Sequence, residues 1–178
     1  MSLTSVSKLY NAFTKYPFGK TAFSYLFSFY APYFLTIRPS VNEMKPGFCK
    51  SIEWLRHHNL CLSDYKYAFF NPSIASVSMS QRWGVQNHIK TVHAIAVCNL
   101  VEMSMGLVAE STIPNHLRWL PMGMDVTYKK KATGKLTATS TIDANTFFKL
   151  EKYPGMVKVP VIVTNAEGVE VTSAEVSG

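Results

Sequence analysis

The residues best suited to chemistry lie between positions 87 and 109, in a segment that reads NHIKTVHAIAVCNLVEMSMGLVA. Positions 94–108 are almost wholly apolar and contain no proline, yet one carboxylate, that of Glu102, lies among them. A histidine, His93, comes directly before the apolar run. Burying a lone acid costs free energy. An acid within this apolar segment, with a histidine directly before the segment, therefore indicates a reaction site with an acid–base group.

The apolar run predicts a buried helix. A surface helix carries one apolar stripe, whereas this segment is apolar nearly all round. His93 then lies at the amino-terminal end, where backbone N–H groups lack helical acceptors and the helix dipole is positive. Glu102 lies in the middle of the same helix, nine residues further on.

Strand-like runs lie on both sides of this helix. Before it, residues 77–83 (VSMSQRW) alternate like a half-buried strand. After it we predict four antiparallel strands in a meander, with Thr133-Gly134 at the first turn and Glu167-Gly168 at the third. Their ranges are 124–131, 135–142, 158–164 and 169–176. This order predicts an α+β fold in which an antiparallel sheet wraps around one long helix.

Residues 1–32 are predicted to form an amino-terminal helical arm. One helical face of its first part carries Leu3, Val6, Leu9, Tyr10 and Phe13. A second helix should end near Tyr30, followed by a strand or extended arm at 33–37 and a turn at 42–47. Two interpretations of the first helix stay open, because residues 1–42 contain no acid. It packs on the surface of the domain or of a dimer, or it is a mitochondrial-type presequence.

The main domain, residues 33–178, is predicted to be interrupted by an insert at 51–76. Residues 48–50 begin a strand that stops almost at once, and residues 51–76 show no clean period. Without the insert, PGFCK joins VSMSQRW as one alternating strand of ordinary length. We interpret the insert as a splice or gene-model variant; the alternative is a genuine excursion, such as a lid of one helix.

The charge and composition of the chain limit the classes of ligand that it is expected to bind. The net charge of +7 suits an anionic ligand or a membrane surface, whereas nucleic acid is not expected because its recognition motifs are lacking. Three cysteines without CxxC spacing and five histidines without an HxxxH pair predict no metal site and a reducing compartment, either cytoplasm or mitochondrion. No transmembrane segment is predicted, because the apolar stretch 22–37 is short and contains Pro32.

The order Asn87, His93-Ala94, apolar helix and Glu102, followed by YKKKATGKLTATS, resembles the hotdog-fold thioesterase superfamily. The likeness is greatest to its phenylacetate-pathway-type branch and to an adjacent uncharacterised hotdog family. Residues 33–50 and 77–176 fit this pattern, and residues 51–76 do not. In one departure, Ala94 stands where a glycine often follows the histidine, and its methyl group narrows the approach of a carbonyl.

The resemblance implies an acyl-CoA thioesterase without a resident cofactor, in which coenzyme A enters only as part of the substrate. Thioester hydrolysis needs stabilisation of the carbonyl oxygen, and backbone N–H groups near Ala94 and Ile95 are the expected donors. His93 should orient the loop or the carbonyl, and Asn87 should bind the substrate or the attacking water. Glu102 is the expected general base or nucleophile.

Helix geometry makes a further prediction about assembly. Nine helical residues span roughly 13 Å, so His93 and Glu102 of one chain cannot both contact one carbonyl. Two antiparallel helices can bring the Glu102 of one chain to the His93 of another. The motif therefore predicts a homodimer with two shared sites, or a dimer of such dimers, and dimers are usual in the resembling family.

Substrate binding is assigned to two groups of residues. Asn99 and Gly106 lie on one helical line with Glu102, and the basic run could contact the phosphates of coenzyme A; that run is Lys129, Lys130 and Lys131. The alternative for the lysines is a charged sheet edge. Two other functions stay open: a non-catalytic hotdog module that binds acyl chains or partner proteins, and, more weakly supported, a hydratase or dehydratase.

Overall fold

The computed structural model describes residues 4–45, 72–113, 118–143, 146 and 155–178. Within them it has six strands: β1 Ser40–Lys45, β2 Ser73–Ser80, β3 Gly123–Tyr128, β4 Lys135–Ile142, β5 Lys158–Thr164 and β6 Glu170–Ser177. They form one sheet in the order β1-β2-β4-β5-β6-β3, and all neighbours are antiparallel. The sheet therefore has β1 and β3 as its two edges.

The described residues also form three helices, α1 Thr4–Phe13, α2 Gly19–Tyr30 and α3 Ala94–Thr112, and two 3-10 turns, Pro32–Thr36 and Trp83–Val85. The sheet wraps around α3, which packs chiefly against β2 and β4. The predicted α+β architecture, with one long central helix and amino-terminal helices, is confirmed.

Helix α3 is buried over most of its surface, as its composition predicts. The largest side chains in this core, including Leu100, Met103 and Leu107, have almost no exposed area. One polar residue at the centre is fully satisfied: the Ser104 hydroxyl lies 3.0 Å from the carbonyl of Ala75 and 2.9 Å from the hydroxyl of Ser140. These bonds tie α3 to β2 and β4 and satisfy the buried Ser104 hydroxyl.

The apolar character of α3 has a simple structural reason. By length and composition alone this helix could cross a membrane, but 56% of its most apolar window is buried inside the fold. A core helix that is covered by a sheet needs the same composition. Its packing against β2 and β4 therefore accounts for the hydropathy.

The β5–β6 hairpin forms as predicted. The turn at Glu167-Gly168 places Gly168 at φ +78°, a left-handed conformation that glycine adopts without strain. The side-chain oxygen of Asn165 accepts from the N–H groups of Glu167 and Val169 at 3.0 and 2.9 Å. The predicted ranges of β4 and β5 also agree with the structure.

The predicted turn at Thr133-Gly134 does not form a hairpin. Strand β3 pairs with β6 at the edge, whereas β4 lies between β2 and β5, so the chain crosses over from β3 to β4. Gly134 has the expected positive φ, but its N–H donates to the side chain of Gln81 at 2.7 Å. The meander prediction was wrong here because this turn bonds to the segment after β2 and does not join two adjacent strands.

Two predictions for residues 33–47 were also wrong. Residues 33–37 belong to the 3-10 turn and its carboxyl-terminal cap and form no strand, since Pro32 favours the first position of a helical turn. Most of the predicted turn at 42–47 is strand β1, in which Val41 and Met44 are buried. A bulge in the pairing with β2, between Val41 and Glu43, breaks the alternation that would reveal this strand.

The predicted end of the insert, residue 76, lies inside strand β2 of the structure. Strand β2 begins at Ser73, and Ile74 to Ser76 pair with β1 and β4. Residues 73–76 therefore belong to the sheet, and β1 and β2 are separate neighbouring strands. Residues 48–50 and 51–71 lie outside the described residues, so the origin of that segment stays a prediction.

The amino-terminal helices pack on the core formed by α3 and the sheet. The ring of Tyr10 on α1 meets that of Phe23 on α2 edge-on, with centroids 5.1 Å apart, and both side chains are buried. The backbone N–H of Val41 in β1 donates to the Ser24 hydroxyl at 2.8 Å. These contacts agree with the interpretation of α1 as a helix that packs on the domain.

A half-buried acid, Glu110, lines an apolar cavity of about 500 Å³ between these helices and α3. Burial raises the pKa of this carboxyl above its ordinary value of 4.5. The folded state therefore binds the proton more tightly than the unfolded state, and stability falls as pH rises through the raised pKa. We expect Glu110→Gln to stabilise the protein at pH 7, with the gain vanishing near pH 4.

Urea unfolding of the wild type and of Glu110→Gln at both pH values measures this difference. Glu167→Gln, in the exposed β5–β6 turn, is the matched control and should shift stability by less than about 0.5 kcal/mol at either pH. A Glu110→Gln variant that is no more stable than the wild type at pH 7 would contradict the expectation.

Candidate active site

His93 caps the amino terminus of α3. Its backbone is extended, with φ −63° and ψ 138°, and its carbonyl accepts the first helical bond from Val97 at 3.1 Å. The Nδ1 atom of its side chain accepts from the N–H of Ile95 at 3.1 Å. An accepting Nδ1 places the proton of the neutral ring on Nε2, which leaves Nε2 as a hydrogen-bond donor.

The capping bond changes the set of free donors at the helix start. The prediction named the N–H groups near Ala94 and Ile95, but the N–H of Ile95 is occupied by His93. Ala94 and Ala96, at the first and third helical positions, have no acceptor within the helix. The available donors in the first turn are therefore those of Ala94 and Ala96.

The loop before α3 is held in place by backbone bonds. The N–H of His93 donates to the carbonyl of Val85 at 2.8 Å, and the N–H of Val92 donates to that of Ala132 at 2.8 Å. Gln86 and Val92 also form an isolated antiparallel bridge. His93 is thus positioned by the 3-10 turn before it and by the segment between β3 and β4.

Asn87 organises the loop from within. Its Oδ1 accepts from the N–H groups of Ile89 and Thr91 at 3.1 and 3.0 Å, and its Nδ2 donates to the Thr91 hydroxyl at 2.7 Å. These bonds make Asn87 a residue that fixes the conformation of its own turn. Contact of Asn87 with a substrate stays a prediction.

A pocket of about 360 Å³ opens beside the first turn of α3. Its walls come from the two 3-10 turns and from one face of the helix; they are Tyr33, Thr36, Ile37, Gly84, Val85, Gln86, His93, Ile95, Ala96 and Asn99. Of the predicted site residues it contains His93 and Asn99. A neighbouring depression of about 370 Å³ shares Gly84 and Gln86 with it and includes Asn87.

Asn99 offers an unpaired acceptor in this pocket. Its side chain is 3% exposed, and its Nδ2 donates to the hydroxyl of Thr36 at 3.0 Å and to the carbonyl of Tyr33 at 3.4 Å. Among the described residues, no group donates to its Oδ1. The pocket wall therefore contains His93 at the helix start and, nearly two turns further along α3, the buried amide of Asn99.

Tyr33 and Thr36 were missed as pocket residues by sequence reasoning. They reach the pocket because residues 32–36 form a 3-10 turn that packs against α3. The prolyl residue at position 32 was the available signal, since it favours such a turn.

Glu102 lies outside the pocket, on the open side of α3. It is half-buried, and within the described part of the chain no ion pair is formed by its carboxylate. Gly106, one turn further on, is equally open: a Cβ atom there would meet no atom of the described residues within 4 Å. His93 and Glu102 of one chain therefore lie apart, and this separation is what the helix geometry predicts. The role of each residue stays a prediction.

Tyr128, at the end of the edge strand β3, lies against the first turns of α3. Its hydroxyl donates to the carbonyl of Ala94 at 3.3 Å and lies 3.1 Å from the Sγ atom of Cys98. Burial, together with the bond to Cys98, raises the pKa of Tyr128 to about 12. Sequence reasoning missed this contact, because nothing in the spacing of positions 98 and 128 indicates it.

The basic run passes close to the start of α3. Lys129, Lys130 and Lys131 lie between Tyr128, which contacts Ala94, and Ala132, which is bonded to Val92. All three lysine side chains are exposed, and Lys129 pairs with Glu170 at 2.6 Å. Lys130 and Lys131 thus add positive charge beside the helix terminus.

Within the described ranges, no group of three His, Cys, Asp or Glu side chains is placed to hold a metal ion.

Comparison with known proteins places the chain among hotdog structures. The sequence profile of a family described as "Domain of unknown function (DUF4442)" matches residues 19–73 and 66–177. This range includes residues 51–76, which the predicted resemblance left out. A search of curated protein sequences finds no match.

Solved structures match over nearly the whole chain. The crystal structure of genomics APC5556 is 29% identical, with a TM-score of 0.68, and the match covers 97% of this chain and 95% of that one. PA5026 from Pseudomonas aeruginosa, a probable thioesterase, is 14% identical with a TM-score of 0.65, covering 91% and 93%. The Escherichia coli PaaI protein of the phenylacetic acid degradation operon is 11% identical with a TM-score of 0.56, covering 88% and 95%. These neighbours have the hotdog fold, and the predicted resemblance is confirmed.

Proposed function

Because the chain belongs to the DUF4442 family and has the hotdog fold, we propose that it hydrolyses thioesters as a homodimer. The observation that carries the proposal is the first turn of α3. There His93, Ala96 and Asn99 line one pocket, and the N–H of Ala94, which has no acceptor within the helix, lies directly after His93 in the chain. The thioesterase names of PA5026 and PaaI support the same reaction class.

The substrate carbonyl oxygen is expected to accept from the N–H of Ala94, at the positive end of the helix dipole. Nε2–H of His93 is a second donor toward the same oxygen or toward the rest of the thioester. Asn99, which lines the same pocket, is expected to help orient the substrate. Fixed donors of this kind stabilise the charge that grows on oxygen during attack.

Glu102 of the second subunit supplies the base. It takes a proton from water as the water oxygen bonds to the carbonyl carbon. The tetrahedral intermediate then collapses, the carbon–sulfur bond breaks, and the proton passes to the leaving sulfur. The products are a carboxylic acid and a thiol, and no resident cofactor takes part.

The sheet edge supports this assembly. Strand β3 pairs with β6 on one side only, and its last residue, Tyr128, lies beside the start of α3. Pairing of two β3 edges around a twofold axis would bring both α3 helices to the interface. We propose that this pairing carries the Glu102 side chain of each chain toward the pocket of the other, in a dimer or a dimer of dimers.

The thiol part of the substrate is proposed to be coenzyme A. Its phosphates would lie along Lys130 and Lys131, with Lys129 partly neutralised by Glu170. The open surface at Gly106 would leave room for the acyl chain or for the second helix. A location in the cytoplasm or the mitochondrion is consistent with such a substrate.

Release of free thiol from a panel of acyl-CoA thioesters of different chain length tests the proposal. Turnover of at least one thioester by the purified chain is expected. Tight binding of acyl-CoA without release of thiol would replace the proposal with the non-catalytic binding module. Absence of both binding and release would remove thioesters as ligands.

A further inference from the structure

Helix α2 carries large apolar side chains on its outer face as well as on the face that packs against the core. The face toward the core carries Ser24 and Ser28, both buried, together with Phe23. The outward face carries large apolar side chains, and Phe29 is 78% exposed; the others are Tyr25, Leu26 and Tyr30. A helix on a water-facing surface carries its apolar stripe inward, so the outer face of α2 is built to contact something other than water.

The exposed aromatic surface continues beyond both ends of α2. Phe18, at the turn between α1 and α2, is 86% exposed, and Tyr16 and Tyr33 are exposed as well. Together with the outer face of α2 these residues form the α2 aromatic surface, defined by Tyr16, Phe18, Tyr25, Leu26, Phe29, Tyr30 and Tyr33. Contiguous apolar patches of this kind mark interaction surfaces.

The charge that residues 1–42 bring to this surface has one sign, although the half-buried carboxyl of Glu110 lines a cavity together with Leu26, Phe29 and Tyr30. Residues 1–42 contain no Asp or Glu, and they contain Lys8, Lys15, Lys20 and Arg38, all exposed. Four of the net seven positive charges therefore lie on less than a quarter of the chain. The partner of the α2 aromatic surface should be apolar and negatively charged.

We propose that the α2 aromatic surface binds the surface of a membrane that contains anionic phospholipid. Phenol and phenyl rings settle at the boundary between lipid headgroups and acyl chains, and lysines beside them attract anionic headgroups. A second copy of the chain fits less well, because a symmetric contact would place the same positive charges opposite each other. The inference does not depend on the proposed reaction.

Cosedimentation of the full chain with vesicles tests the proposal. We expect binding to vesicles of phosphatidylcholine with about 30% phosphatidylserine, at least about tenfold weaker binding to phosphatidylcholine alone, and loss of binding as salt is raised. The double variant Phe18→Asp, Phe29→Asp should weaken binding at least about tenfold. Ile162→Asp is the matched control, since Ile162 is similarly exposed on the outer face of β5.

Lys15→Glu is a variant that leaves the aromatic side chains in place and reverses one positive charge. It should weaken binding to the anionic vesicles and leave binding to the neutral vesicles unchanged. Circular dichroism and size-exclusion chromatography with light scattering are recorded for every variant. No binding of the wild type to anionic vesicles would overturn the proposal, as would equal binding by the double variant or equal binding to neutral vesicles. A wild-type oligomer that the double variant splits, without vesicle binding, would assign the surface to a second copy.

Discussion

Glu102→Gln is expected to lower kcat/KM for thioester hydrolysis at least about 100-fold, because general-base catalysis typically contributes about 10²–10⁴. Glutamine keeps the size of the side chain but cannot take the proton from water. Glu102 is half-buried on the open side of α3 and has no ion pair with the described residues, so its loss should leave the fold intact. Steady-state release of thiol from the best acyl-CoA of the panel measures the effect.

Glu110→Gln serves as the matched control for this experiment. Glu110 lies on the same helical line, two turns beyond Glu102, and lines a cavity against α1 and α2. It is expected to keep wild-type kcat/KM. Equal rates for the wild type and Glu102→Gln would remove Glu102 from the mechanism, while equal losses in both variants would indicate a general effect of charge on α3.

Ala94→Pro is expected to reduce kcat about 10²–10³-fold, the usual effect of removing one oxyanion donor. Proline lacks the backbone N–H that is proposed to bind the carbonyl oxygen. Its ring is well tolerated at the first position of a helix, where the N–H has no helical acceptor. The extended backbone of His93, φ −63° and ψ 138°, also suits a residue that precedes proline.

The control for this variant is Ala94→Gly, which keeps the N–H and removes only the methyl group. It should retain activity, and it also tests whether the methyl group narrows the approach of the carbonyl. Thermal unfolding of both variants checks that α3 still forms. Full activity of Ala94→Pro in a folded protein would show that the oxyanion is held elsewhere, with the N–H of Ala96 as the next candidate.

The helix and its neighbours could be predicted because local chemistry determines them. Residues 94–108 are apolar over most of the helix surface, and packing under a sheet buries such a helix. The alternation in β4 and the glycine turn before β6 are equally local signals. These features predicted the α+β fold, and the resemblance carried by Asn87, His93-Ala94 and Glu102 implied the hotdog family.

The errors have physical causes that spacing does not show. Strand β1 was missed because a bulge after Val41 interrupts its alternation. The order of β3 and β4 was missed because pairing with β2 and β6 is a long-range choice, and a good turn glycine at position 134 does not reveal which strands it joins. Local signals predict elements better than they predict neighbours.

The candidate site also has one part that the sequence predicts and another part that it does not. His93 at the helix start follows from sequence, since a residue there must cap free N–H groups. The bond from Ile95 to its Nδ1, the 3-10 wall at Tyr33 and Thr36, and the contact of Tyr128 with Ala94 all depend on residues that are distant in sequence or on side-chain geometry. The spacing of residues in the sequence predicts which chemical groups the helix carries. The walls of the pocket around them depend on tertiary packing, which the spacing does not show.

The central claim is that each reaction site is shared between two chains, and a heterodimer of two inactive variants tests it most directly. Copies carrying Glu102→Gln and Ala94→Pro are co-expressed with different tags, and the mixed dimer is purified over both. A shared site predicts one intact site per mixed dimer, with about half of wild-type activity from two parents that are nearly inactive. A mixed dimer as inactive as its parents would contradict the claim.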